Sequence, residues 1–240
     1  HWMPACMSEE VAERDGKPAR VRLLGEDLVV FRDSEGRLGA IDEFCRHRGA
    51  SLAFGRNENC GLRCLYHGWK FDVNGNVMEM PSEPDAGEAL KAEAKLKSYP
   101  TRESGGFVWL WMGDAENVAE FEPPAWAHAP DEKISIVKIH TPCNWAQVLE
   151  GSIDSAHSSS LHSSNMPPAE VDGAKATATS WPRPSNDKAP RIRFDKTDYG
   201  FRYAAVRTPI IDPDRKDYIR NTLFVAPFTV IIPPNDQYRL

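Results

Sequence analysis

The sequence predicts an α+β chain in two parts, a small antiparallel β domain followed by a mixed domain built on one helix and several strands. Three observations carry this. Up to about residue 115, short apolar runs alternate with turns rich in Gly, Asn, Asp and Ser, at the spacing of hairpins. Residues 116–130 are crowded with Pro, Ala and acidic side chains, the composition of a linker. From Asn144 a helical pattern begins, and the chain beyond it returns to strand-like runs.

In chain order, residues 21–31 carry an apolar run around Gly25, and residues 38–41 form a short strand after Asp33-Ser34-Glu35-Gly36. Residues 70–80 read as a hairpin around Val73-Asn74-Gly75-Asn76, where Asn-Gly suits a type I′ turn. Residues 99–112 read as a second hairpin, broken at Glu103-Ser104-Gly105-Gly106. Past the linker, residues 134–140 read as a strand and residues 144–157 as a helix. Residues 175–179, 191–194, 201–207 and 218–232 supply further strands, and the Pro/Ser/Ala-rich stretch 163–187 reads as a mobile loop. The expected division is an N-terminal segment 1–19, a β domain 20–115, a linker 116–130 and the first part of a second domain at 131–240. The missing initiator Met, and an end without a stop signal after an apolar run, predict a chain trimmed at both ends.

Bulk properties narrow the function. A net charge of -6, without a Lys/Arg tract interleaved with aromatics, argues against nucleic acid as the main partner. No apolar run approaches the roughly 18 residues of a membrane span, and no signal-peptide pattern opens the chain. Five cysteines are an odd number for a disulfide framework, so a reducing, cytoplasmic setting is expected.

Two cysteines sit beside histidines. Cys45-Arg46-His47-Arg48-Gly49 is followed, after sixteen residues counted from His47, by Cys64-Leu65-Tyr66-His67-Gly68-Trp69. A zinc finger groups cysteines in one half and histidines in the other. Here each half offers one thiolate and one imidazole, which better fits a [2Fe–2S] cluster with two cysteines on one iron and two histidines on the other. Neutral imidazoles lower the negative charge of the ligand set, so such a centre is easier to reduce than an all-cysteine cluster, at roughly −150 to +300 mV. Cys6, Cys60 and Cys143 have no such company and read as packing residues.

Cys-X-His-Arg-Gly followed by Cys-X2-His-Gly-Trp resembles the Rieske domain of aromatic-ring oxygenases over roughly residues 20–115. Rieske ferredoxins carry the same cluster, so function depends on the chain beyond the linker. At 100° per residue, Gln147, Glu150, Gly151, Asp154 and His157 share one helical face about 120° wide. His157 and His162 would stand about 140° apart on a perfect helix, so the Ser158-Ser159-Ser160 run must distort the turn for both to reach one metal. Two histidines and one carboxylate make the facial triad of non-haem Fe(II) oxygenases, with positions open for O2 and substrate.

Asp-X2-His-X4-His resembles the iron-binding helix of Rieske oxygenase α subunits, in the phthalate dioxygenase branch. That resemblance implies a helix-grip (START-like) catalytic domain, C-terminally incomplete here. It makes His157 and His162 ligands of a mononuclear Fe(II) and places Asn144 near the iron. It makes Asp154 the carboxylate that bridges His157 to a Rieske histidine, His67 or its partner, of the neighbouring subunit. The third ligand falls beyond Leu240. The resemblance further implies dihydroxylation of an aromatic carboxylate such as phthalate, or O-demethylation of a methoxy- or phenoxy-benzoate. Electrons would come from NADH through a separate reductase, since the chain has no dinucleotide-binding Gly motif. Head-to-tail trimers or stacked hexamers are expected. A carboxylate substrate calls for a guanidinium fork, for which Arg183, Arg220 and Arg207 are the candidates.

Overall fold

The computed structural model describes residues 1–85, 87–129, 135–159, 161, 170–171, 174–175, 185, 187–210 and 212–233, in two compact units, His1–Ile139 and His140–Leu240. The first unit is antiparallel β throughout. Its strands are β1 (Trp2–Met7), β2 (Ala19–Leu23), β3 (Glu26–Arg32), β4 (Leu38–Asp42), β5 (Arg56–Glu58), β6 (Gly61–Arg63), β7 (Lys70–Phe71), β8 (Val77–Glu79), β9 (Thr101–Ser104) and β10 (Phe107–Trp111), with a short helix α1 (Glu88–Glu93). They form three sheets, ordered β1-β10-β9, β2-β3-β4 and β5-β6-β7-β8.

Strand β3 organises the unit. Leu28-Val29-Val30-Phe31 is apolar without a break, the signature of a strand covered on both faces. Side chains alternate across a strand, so Val29 and Phe31 join Ile41, Leu52, Leu62 and Phe71 in one core, while Leu28 and Val30 join Val21, Val108 and Leu110 in another. All four β3 side chains are fully buried. Each such burial stabilises by about 1.5–3 kcal/mol. Cys45 and Cys64 lie in the first of these cores.

The hairpin turns correct one expectation. Gly105 and Gly106 both have positive φ (59° and 79°), as do Leu24 and Gly25 (50° and 87°), and Asn59 and Cys60 (47° and 60°). These are the two-residue loops that a type I′ turn needs. The expected type I′ turn at Asn74-Gly75 does not form. Asp72 Oδ1 accepts the N–H of Asn74 and of Asn76, at 2.9 and 2.8 Å, so the loop is an Asx-type turn in which Gly75, and not Asn74, has positive φ.

Residues 116–129 of the expected linker are not detached. Trp2 Nε1 donates to Ala119 O at 2.9 Å, Phe121 packs edge-on to Trp2, and Trp126 lies 5.8 Å from Phe107. The strand expected at 134–140 is not formed at 135–140, where Val137 and Ile139 are exposed and no neighbouring strand pairs with them among the described residues.

In the second unit α2 (Trp145–Ile153) is shorter than the 144–157 expected, because Asp154 leaves the helical region at φ −86°, ψ 115°. β11 (Glu170–Val171) and β12 (Ala174–Lys175) pair, and residues 176–179 of the expected strand lie outside the described residues. β13 (Arg191–Thr197), β14 (Gly200–Arg207), β15 (Tyr218–Val225) and β16 (Thr229–Ile231) form an antiparallel meander. The single run expected at 218–232 is thus a hairpin, turned at Ala226-Pro227-Phe228.

Candidate metal centres

The first centre lies in two loops of like construction. Cys45 N donates to Ala50 O at 2.9 Å and Gly49 N to Cys45 O at 2.8 Å. Cys64 N donates to Trp69 O at 2.8 Å and Gly68 N to Cys64 O at 3.1 Å. Each loop is closed by the same pair of bonds, with a glycine of positive φ at the fifth position. The histidine stands third in one loop and fourth in the other.

The four side chains gather as two pairs. Cys45 and Cys64 are buried and their thiols hydrogen-bond each other. The rings of His47 and His67 are 4.4 Å apart. Among the described residues no three His, Cys, Asp or Glu side chains gather about one point. A structural zinc site would bring all four donors to one ion. Two pairs suit two irons that each take two protein ligands and complete their shells with sulfide. Nδ1 of His47 is buried without a hydrogen-bond partner, and a metal bond would satisfy it. The N–H groups of His47 and Arg48 point at the Cys45 sulfur; burial nevertheless pushes this thiol up to about 11. Burial first, and then the neighbouring His47 and Arg48, hold the His67 imidazole below the usual histidine range, which favours its neutral form. The residues fit a Rieske cluster.

Trp69 closes the inner side: it stacks on His47 at 4.7 Å with rings 5° from parallel, and its indole N–H donates to Ser82. The sequence motif contains Trp69 but does not declare this role.

The second centre is built where α2 stops. Asn144 is the N-cap of α2, its side chain accepting Ala146 N–H at 3.0 Å. Asp154 sits at the other end and starts a new turn. Its Oδ1 accepts Ala156 N–H at 2.7 Å, its Oδ2 accepts His157 N–H at 3.2 Å, and Oδ2 is 3.3 Å from His157 Nδ1. These backbone bonds, Ala156 first, hold the Asp154 carboxyl below the usual carboxylate range. A 3-10 turn comes next, at His157–Ser159.

Strand β14 holds this turn. The Tyr203 hydroxyl donates to Ile153 O at 2.5 Å and lies 2.8 Å from the Ser155 hydroxyl. Arg207 Nη2 donates to Ser155 O at 2.6 Å. Tyr203, Ala205 and Arg207 alternate onto one face of β14, and Arg220 of β15 stands directly opposite Ala205. Cross-strand partners share a face. Arg207 and Arg220 are therefore diagonal neighbours on the face that carries the turn. Arg220 Nη2 also reaches Pro233 O at 2.7 Å. No sequence signal marks Tyr203, one of several tyrosines in strand-like runs. His162 and Arg183 lie outside the described residues.

Comparison with known proteins bears on the family of the chain. The Rieske [2Fe-2S] domain family matches residues 1–100, and the family described as LigXa C-terminal domain like matches residues 110–240. The oxygenase subunit of phthalate 4,5-dioxygenase from Pseudomonas putida is 59% identical over 240 residues, all of this chain and 54% of that protein. The oxygenase subunit of 3-chlorobenzoate-3,4-dioxygenase from Comamonas testosteroni is 36% identical over 98% of this chain and 52% of its own length. The chain thus spans about half the length of the curated relatives it matches. A solved structure of a Pseudomonas putida CBB5 NdmA mutant with theobromine shares the fold at a TM-score of 0.65 and 22% identity, over 95% of this chain and 62% of that one. With a Rieske domain at 1–100, a partner domain at 110–240 and relatives of this kind along its whole length, the chain belongs to the Rieske oxygenase α subunits.

Proposed function

We propose that the chain is part of the oxygenase component of a two-component system, which dihydroxylates an aromatic carboxylate such as phthalate with O2. The observation that carries this is the 59% identity, over the whole of this chain, to the oxygenase subunit of phthalate 4,5-dioxygenase. Held by Cys45, His47, Cys64 and His67, a [2Fe–2S] cluster supplies single electrons, and Fe(II) held by His157 and His162 supplies open positions for O2 and substrate. The relatives are named as oxygenase subunits, which supports a separate reductase that oxidises NADH.

The chain's own residues orient these groups. Asp154 keeps the His157 proton on Nδ1 and so leaves Nε2 for the metal. In a ring-forming trimer or stacked hexamer, Asp154 also reaches the neighbouring subunit's Rieske histidine. Of the three candidate arginines Arg207 is the best supported, because it is buried and touches the turn that carries Asp154 and His157. Arg220 joins it on the same face, and Arg183 is the third candidate. The four-stranded meander with α2 against β16 supports a helix-grip fold for the second unit. Among the described residues no helix is long and apolar enough to cross a membrane, and no cysteine is in a disulfide, which supports a reducing cytoplasmic setting.

A second reading is O-demethylation, favoured by 35% identity over 86% of this chain to the oxygenase subunit of 5,5'-dehydrodivanillate O-demethylase from Sphingobium. Oxygen and NADH uptake by the full-length protein, with a supplied reductase, is the test. Uptake with phthalate and formation of a dihydrodiol support the first reading. Uptake with methoxybenzoates and release of formaldehyde replace it with the second.

A further inference from the structure

The loop that carries Cys64 and His67 is tied across its base by one side chain. Arg63, the residue before Cys64, turns its guanidinium back along the loop. Nη1 donates to Gly68 O at 2.9 Å, Nε to Glu58 Oε1 at 2.6 Å and Nη2 to Glu79 Oε2 at 2.8 Å. The side chain is only 14% exposed. The other oxygen of Glu79 pairs with Lys70, whose side chain is almost wholly buried. Arg63 therefore holds three acceptors on β5, β8 and the loop's closing glycine at once. A planar fork can do this, whereas an ammonium, a single point charge, cannot.

The loop needs such a tie. Leu65 and Tyr66, between Cys64 and His67, are 58% and 61% exposed, so packing does not hold the turn from outside. The loop of Cys45 is held differently. There the buried Glu43 accepts from Arg20 Nε at 2.7 Å and from the Ser51 hydroxyl at 2.5 Å.

We propose that Arg63 is a positioning residue, which fixes the loop from Cys64 to Gly68 and thereby the orientation of the His67 imidazole on the cluster. This rests on the Rieske reading of the first centre. Without the tie, the Gly68 carbonyl is free to rotate, the His67 ring rocks on its metal bond and the exposed loop opens to solvent. Glu58 is a useful contrast, because it touches Arg63 and no part of the loop.

The test uses the full-length holoprotein, reduced with dithionite and examined by EPR, together with the rate at which the oxidised cluster loses its visible absorption. Arg63→Met is expected to shift or broaden the EPR signal and to speed cluster loss about tenfold. Arg63→Lys should fall between it and the parent, and Glu58→Gln should keep the parental signal. A parental EPR line shape and cluster lifetime in Arg63→Met overturn the proposal. If Arg63→Met accumulates without iron, Arg63→Lys decides, a shifted signal supporting the tie and a parental one overturning it. A parent protein with no reduced-cluster signal overturns the Rieske reading and the proposal together.

Discussion

The carboxylate of Asp154 accepts the backbone N–H of His157 at 3.2 Å, and the same oxygen lies 3.3 Å from Nδ1 of the His157 ring. One group thus fixes both the turn on which His157 sits and the tautomer that its ring presents. Asp154→Ala removes both. Turnover is expected to fall about 100-fold while the visible spectrum of the cluster, held by another unit, stays unchanged. Asp154→Asn keeps an oxygen for one backbone cap but loses the charge, and should recover stability without recovering turnover. Steady-state rates and absorption spectra of the two variants are the check, and parental turnover in Asp154→Ala would sink the bridging role.

Arg207 and Arg220 share a sheet face, yet their surroundings differ. Arg207 is buried against Ser155 O, whereas Arg220 reaches the carbonyl of Pro233. Removing a charge-assisted bond costs about 1.5–3 kcal/mol, or roughly a 10- to 100-fold change in affinity. Arg207→Met is therefore expected to raise KM for phthalate about 100-fold, and Arg220→Met by less. Arg207→Lys should recover little, since an ammonium cannot form the bidentate fork. Equal KM values in parent and Arg207→Met would remove it from the substrate site.

The cluster loops were legible because their chemistry is local: Cys-X-His-X-Gly and Cys-X2-His-Gly declare both donors and the glycines that close each turn. The strands β13 and β14 were legible from their alternation. β1 was not. Trp2–Met7 contains Pro4, and its partner β10 lies some hundred residues away, so nothing nearby marks it as a strand. The hairpin of β5 and β6 was hidden by polar strands of three residues joined at Asn59-Cys60. The end of α2 was missed for a different reason. The polar face continues in register to His157, but Asp154 satisfies the N–H groups of Ala156 and His157 with its side chain, and this competes with the helix.

Metal content separates a two-iron cluster with a further iron from a zinc site. The full-length protein is expected to hold about three irons and two labile sulfides per subunit. Cys45→Ser should lose the sulfide and about two of the irons. Plasma emission analysis with a sulfide assay reads this directly. Zinc without sulfide would overturn the assignment of the first centre.

Glu26 ties β3 to the segment that leads into β9. Its carboxylate accepts from Lys97 Nζ at 2.6 Å and from the Tyr99 hydroxyl. The bond from Lys97 first, then that from Tyr99, holds Glu26 below the usual glutamate range. A carboxyl with a lowered folded-state pKa contributes stability above its unfolded value, near pH 4.3 as an order-of-magnitude figure, and loses it as pH falls through the folded one. The contribution is small, because the side chain is 41% exposed and water screens the pair. Glu26→Gln should therefore lower the Tm of the β unit at pH 7, and the gap should close below about pH 4. Thermal unfolding of parent and variant between pH 7 and pH 3 reads this. A gap that stays constant across that range would mean that shape, and not charge, makes the contact.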